Sequence, residues 1–196
     1  MTRDEFTRTL MAIMLLLAVQ PLSAHTTGGE IGGLGSGLGH PFFGIDHLLA
    51  MLAVGVWAYQ LGGSAVWKVP LVFVLTLLVG ANLGLAGLSL AFYEPMIAAS
   101  LMVLGLSIAM KWRVMPLLAS IIVGVFALFH GFAHGVEMPL AASPMAYVIG
   151  FTLATSLLHG SGVMLAYGFQ KSSRVVLMRA GGVGLLGTGL LLLIGT

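Results

Sequence analysis

Six apolar stretches dominate the chain, each near the ~20 residues that an α-helix needs to cross a hydrocarbon layer. They lie near 43–61, 69–89, 95–110, 116–136, 145–168 and 175–195. The connections are short and carry turn residues: Gly62-Gly63, Pro95, Pro116, Pro139 and Pro144. Only 7% of the residues are Asp, Glu, Lys or Arg and 59% are apolar, so too few polar groups exist to clothe a water-soluble surface. The reading is an all-α protein, a polytopic membrane bundle of six helices in one domain. Disorder is excluded by the same composition. A formal charge of +2 leaves no nucleic-acid footprint. Zero Cys removes disulfides, thiolate metal sites and Cys nucleophiles together. Residues 28–39 (GGEIGGLGSGLG) resemble a phosphate loop only superficially, since no Gly-Lys-Ser/Thr follows. They read as flexible backbone, and no nucleotide partner is expected.

The N-terminus has the order of a secretory leader. Arg3 and Arg8 precede the apolar run Leu10 to Val19, and Pro21-Leu22-Ser23-Ala24 offers a break and a small residue before His25. The expected organisation is a signal peptide over 1–24, an extracytoplasmic glycine-rich leader over 25–42 and a six-helix transmembrane domain over 43–196. Lys68 follows the first mature span, Lys111 and Arg113 follow the third, and Lys171, Arg174 and Arg179 surround the connection after the fifth. The positive-inside rule makes those connections cytoplasmic. The mature N-terminus then lies outside, as a secreted leader requires.

On that frame the carboxylates and imidazoles fall on the opposite side. Glu30, Asp46, Glu94 and Glu137 are all extracytoplasmic, and so are His25, His40, His47, His130 and His134. His159 lies deeper, ~20 Å into its span at ~1.5 Å per residue. The first cluster is His40-Pro41-Phe42-Phe43-Gly44-Ile45-Asp46-His47. Pro41 suits the first turn of a helix, which would set His40, Gly44 and His47 on one face with Asp46 beside them. In the second cluster, His130 and His134 are one turn apart, Glu137 continues their face, and Gly131 and Gly135 make a smooth face for close packing. Imidazole nitrogen with some carboxylate oxygen suits Ni²⁺, Co²⁺, Zn²⁺ or Cu²⁺. Asp46 could bind the ion or fix the tautomer of His47.

Other residues read more blandly. Glu94 before Pro95 is an interfacial or helix N-terminal charge first and a ligand second. Asn82 in mid-span needs a partner or faces a pathway. Thr152, Thr155 and Ser156 share the His159 span and either line a polar track or bond back to their own helix. Among the Met residues, Met51 and Met138 lie near the clusters. Trp57, Tyr59, Trp67 and Trp112 read as interfacial anchors at the cytoplasmic side, and Tyr93 and Tyr147 at the other.

At the two clusters the chain resembles the HupE/UreJ family of nickel permeases and urease or hydrogenase accessory proteins. The HPxxGxDH pattern stands here as His40, Pro41, Gly44, Asp46 and His47. The FHGxAHGxE pattern stands as Phe129, His130, Gly131, Ala133, His134, Gly135 and Glu137. The resemblance implies uptake of Ni²⁺, with Co²⁺ as an alternative, from the periplasm across a bacterial inner membrane; the donor set also allows Zn²⁺, and the leader and cation placement make the mature N-terminus periplasmic. The motif positions that carry over as metal residues are His40, Asp46, His47, His130, His134 and Glu137. His25, His159, Glu94, Asn82 and Thr155 are second-rank candidates for the metal or its pathway.

The expected function is a non-enzymatic permease without ATP, its partners a divalent ion and the bilayer, with a homo-oligomer left open. The rival reading is an intramembrane zinc hydrolase, in which His and Asp hold Zn²⁺ and Glu137 serves as base.

Overall fold

A computed structural model of the chain describes residues 33–140 and 142–195. The expected signal peptide, His25 and Glu30 lie outside the described residues. Among those described there are seven helices and no strand. They are α1 (Gly33–Phe43), α2 (Ile45–Leu61), α3 (Ala65–Leu85), α4 (Tyr93–Met110), α5 (Pro116–Val136), α6 (Pro144–Lys171) and α7 (Val175–Gly195). Helices α3 to α7 are each long and apolar enough to cross a membrane, and α1 with α2 passes only as a pair, bent by 82° at Gly44. The six-span expectation therefore holds with its first span broken.

Two spans differ in placement from the apolar stretches. The second begins at Ala65 rather than 69, because Lys68 is accommodated as an exposed side chain in the first turn of α3. It ends at Leu85, where Gly87 takes φ +72° in the turn that follows. The larger correction concerns the glycine run. From Gly33 onward it is helix rather than flexible backbone. Gly33, Gly37 and Pro41 recur every four residues and form the buried stripe of α1. A Cβ on Gly37 would collide with the Tyr147 carbonyl of α6, and one on Gly150 with the Leu34 carbonyl of α1. The missing side chains let two backbones touch, and that packing outweighs the entropy glycine loses in a helix.

The same device joins α3 to α5. Gly131 and Gly135 lie against the carbonyls of Leu77 and Ala81, while Gly80 and Gly84 lie against those of Leu128 and Phe132. The smooth face expected for Gly131 and Gly135 is therefore a close helix contact. It turns the other face of α5, with His130 and His134, into the bundle. Trp57, Phe73, Met51, Leu77, Leu101 and Phe151 fill the interior. Leu71, Leu75, Val79, Leu117, Ile121, Leu157, Leu191 and Ile194 point outward, an apolar area far beyond what a soluble monomer exposes.

Antiparallel neighbours give the bundle two distinct ends. One gathers Lys68, Lys111, Arg113, Lys171, Arg174 and Arg179 (the cationic end). There the Trp57 indole donates to the Trp112 carbonyl at 3.0 Å and the Arg179 guanidinium to the Ala109 carbonyl at 2.7 Å. The other end holds the histidine clusters. Trp57 and Tyr147, expected as interfacial anchors, are both fully buried. Each has a core position beside a neighbouring backbone, whereas Trp67 and Trp112 are exposed as expected.

Candidate metal centre

The break at Gly44 builds the first half of the centre. Pro41 lies in the last turn of α1, not the first turn of a helix, and α2 starts at Ile45. The continuous face expected for His40, Gly44 and His47 is therefore absent. Bending instead of continuing still brings His40 and His47 together, with ring centroids 6.3 Å apart. Gly44 is extended (φ −87°, ψ 107°), and a Cβ there would press on Asp46 Oδ1 and His47 Nδ1, each at 3.1 Å. Asp46 sits in the first turn of α2, where the helix dipole favours a carboxylate. Its Oδ1 accepts from the His47 backbone N–H at 2.8 Å and from His47 Nδ1–H at 2.9 Å.

Helix α5 supplies the second half. His130 and His134 are fully buried, and His47 is 5% exposed. The His47 ring lies 4.9 Å from His130 and 4.6 Å from His134, and His40 lies 4.8 Å from His134. The His134 ring stacks on Phe151 at 4.9 Å with 5° between the planes. At the rim, His40 Nε2 donates to Glu137 Oε2 at 2.9 Å. A cavity of about 230 Å³ is lined by Asp46, His47, Tyr93, Glu94, Glu137 and Leu192 among others. Glu94 thus shares a vestibule with Asp46 and Glu137.

Proton positions follow from the hydrogen bonds. A carboxylate only accepts, so His47 carries its proton on Nδ1 and leaves a lone pair on Nε2. The Ser100 hydroxyl has one proton and lies 2.6 Å from the Ile97 carbonyl, its acceptor. It therefore accepts from His130 Nε2–H at 3.0 Å, which leaves the lone pair of His130 on Nδ1. His47 Nε2, His130 Nδ1 and both nitrogens of His134 are buried with no hydrogen-bond partner among the described residues. An unsatisfied buried polar atom costs about 1–3 kcal/mol. Several on one patch mark a place kept ready for an external partner. Among the described residues, no three His, Asp or Glu side chains already present donors to one ion. The imidazoles are gathered but not closed into a cage.

The second-rank residues divide. His159 is 2% exposed, and its Nδ1–H donates to the Met51 carbonyl at 2.7 Å, so Nε2 is a buried lone pair without a partner. Thr155 is buried, with its hydroxyl 3.3 Å from Met51 Sδ. Thr152 and Ser156 bond back to Val148 and Thr152 of their own helix, so no polar track forms there. Asn82 is exposed near the end of α3 rather than in mid-span, and its amide donates to the Leu78 carbonyl one turn back. Met138 only packs partly buried against the core.

The sequence reading missed Ser100, Phe73, Tyr147 and Phe151. Ser100 is an unremarkable hydroxyl in an apolar span, and nothing local marks it as the acceptor for His130. The Phe73 ring touches His130 at 5.9 Å and His159 at 4.8 Å, a long-range contact with no local signal. The α6 residues were findable. Tyr147, Phe151, Thr155 and His159 recur every fourth residue, all nearly or fully buried, and form one helix face running inward from the histidine end.

Fold and site together define a polytopic helical membrane protein with an imidazole–carboxylate centre near one end of the bundle. The HupE / UreJ protein family profile matches residues 13–192, nearly the whole chain. Protein HupE of Rhizobium leguminosarum bv. viciae is 44% identical over 194 residues, covering 97% of this chain and 99% of that protein. The chain belongs to the HupE/UreJ family, a transporter-type family associated with nickel and cobalt handling. No solved structure matches it.

Proposed function

We propose that this protein is an uptake permease for Ni²⁺, with Co²⁺ as the nearest alternative cargo, that works without ATP. The reading is carried by the unpartnered imidazole nitrogens of His47, His130 and His134, gathered at one end of a membrane bundle. Such nitrogens suit a borderline divalent ion. The six cationic side chains at the other end support a cytoplasmic placement of that end in the bacterial inner membrane, with the histidine end periplasmic.

The carboxylates of Glu94, Glu137 and Asp46 draw the cation into the vestibule. His40 and Glu137 already hold each other, so the ion must compete for that pair, which makes it a rim gate. His47, His130 and His134 then replace water ligands one at a time. Asp46 orients His47, and Ser100 orients His130, as outer partners commonly do for metal-binding imidazoles. Ligands that are near one another without being closed around a point let the ion leave again, which conduction requires. A membrane potential of 100 mV gives each inward-moving positive charge about 2.3 kcal/mol, so a divalent ion gains about twice that.

The hydrolase rival needs three donors held on Zn²⁺ with one open position for water, whereas a permeant ion needs ligands that exchange one at a time. Accumulation of radioactive Ni²⁺ in cells tests the permease directly. Wild type should accumulate the ion, and His47→Ala and His130→Ala should not. Equal accumulation in all three removes the reading.

A further inference from the structure

A second cavity shares no lining residue with the vestibule and holds no residue of the two histidine motifs. Its volume is about 330 Å³, and it opens between α3 and α6, lined by Val66, Trp67, Pro70, Ser156, His159 and Gly160 among others. Its α3 wall lies within the first ten residues of that helix, around Lys68, so it faces the cationic half of the bundle. The walls are mainly apolar, yet polar capacity is built into them. Pro70 has no N–H to give the Val66 carbonyl. The Ser156 hydroxyl oxygen retains accepting capacity after its proton goes to Thr152. His159 forms the inner wall, and its Nδ1–H bond to the Met51 carbonyl presents Nε2 as a bare, buried lone pair. Beyond its own helix backbone and chain neighbours, nothing lies within 4 Å of where a Cβ on Gly160 would stand, so that wall is open.

Phe73 contacts a residue of the crevice and a residue of the histidine centre. Its ring meets His159 edge to face at 4.8 Å and His130 at 5.9 Å. One aromatic ring thus contacts two imidazoles that each keep an unpartnered nitrogen.

We propose that the crevice between α3 and α6 is a second, inward-facing station for the same divalent cation, with His159 Nε2 as its protein ligand and the Phe73 ring as the partition. The inference rests on the permease reading and its orientation. It adds a release route: the ion passes the edge of Phe73, exchanges His130 for His159 and meets cytoplasmic water in the crevice. Swinging one ring is a smaller change than rocking half the bundle, and the tight glycine contacts of α3 with α5 hold the backbone of Phe73 in place.

The absence of Cys makes the chain its own background for cysteine reporters. Ser156→Cys reports on the crevice, and Ser161→Cys, exposed on the same helix outside it, is the lipid-facing control. A thiol reacts as thiolate, which apolar surroundings suppress, so a membrane-impermeant methanethiosulfonate applied from the cytoplasmic face should label Ser156→Cys roughly tenfold faster than Ser161→Cys. Ni²⁺ should slow that labelling, and the protection should vanish when His159→Ala is added. Phe73→Leu, which keeps an apolar side chain, should let the reagent reach Ser156→Cys from the periplasmic face as well.

Labelling of Ser156→Cys only by a lipid-soluble maleimide would make the crevice a lipid groove and overturn the proposal. Protection that survives His159→Ala would overturn His159 as the ligand. If Ni²⁺ uptake still needs His47 and His130 while the crevice stays unlabelled, the inner station falls and the permease stands. Uptake indifferent to His47 and His130 would remove the permease itself.

Discussion

The two ends of the bundle handle polar groups in opposite ways. At the cationic end, polar side chains close off helix termini. Arg179 caps the Ala109 carbonyl, the Trp57 indole holds the Trp112 carbonyl and the Gln60 amide reaches the Ile108 carbonyl. Among the buried side-chain atoms described at those helix termini, only Gln60 Oε1 is left over, and the unmatched His159 Nε2 lies deeper in the bundle. At the histidine end the opposite holds. Four imidazole nitrogens on three residues are buried and unmatched, while Asp46 and Ser100 bond the remaining nitrogens of His47 and His130. A fold that satisfies its polar atoms at one end and withholds partners at the other has concentrated function where the atoms are unmatched. The lesson is that hydrogen-bond deficits, more than counts of histidine, locate the working site.

That contrast breaks most severely if the imidazoles go. His130→Ala and His47→Ala should abolish Ni²⁺ uptake while leaving the amount of folded protein in the membrane unchanged, because each removes an unsatisfied buried atom. Folded yield is read by gel filtration with a fluorescent fusion, and loss of fold with loss of uptake would make these residues structural. Next in size is Asp46→Asn. The amide keeps the shape but weakens the hold on His47 Nδ1–H, so half-maximal uptake should need ~10–100-fold more Ni²⁺. A smaller change of the same kind is expected for Ser100→Ala, roughly tenfold, since Ser100 orients one imidazole and carries no charge. Saturation curves of uptake check both.

The smallest effect belongs to the cationic end. Arg179→Met should lower stability by about 1 kcal/mol or less, because an exposed hydrogen bond contributes little. Uptake per folded molecule should not change. A thermal-shift series beside uptake assays separates the two ends: a large uptake defect in Arg179→Met would erase the contrast.

The architecture was largely legible because apolar length and sparse charge are local properties. The spans near 95–110, 116–136, 145–168 and 175–195 coincide closely with α4 to α7. The close-packing face of Gly131 and Gly135 was also readable, since small residues four apart leave few other uses inside a membrane. What failed depended on partners. Gly33 to Gly39 read as flexible because the α6 backbone that receives α1 is over a hundred residues away in sequence. The sharp elbow at Gly44 was hidden for a related reason: Pro41 is acceptable in a first turn, and only the packing of α1 decides that it stands in a last one. For the centre, the motif residues could be named from their spacing. Ser100 and Phe73 could not, because each matters only through a ring on another helix. Tyr147 was misplaced at the interface although its fourfold spacing with Phe151, Thr155 and His159 marked an inward face.

The central claim is that the unmatched nitrogens of His47, His130 and His134 become the ligands of the cargo. X-ray absorption at the nickel edge of purified, Ni²⁺-loaded protein tests it most directly. The account predicts multiple-scattering features of at least two imidazoles per nickel in the wild type, with fewer in His47→Ala and fewer again when His130→Ala is added. A nickel shell of oxygen alone, or one that the two substitutions leave unaltered, would contradict it.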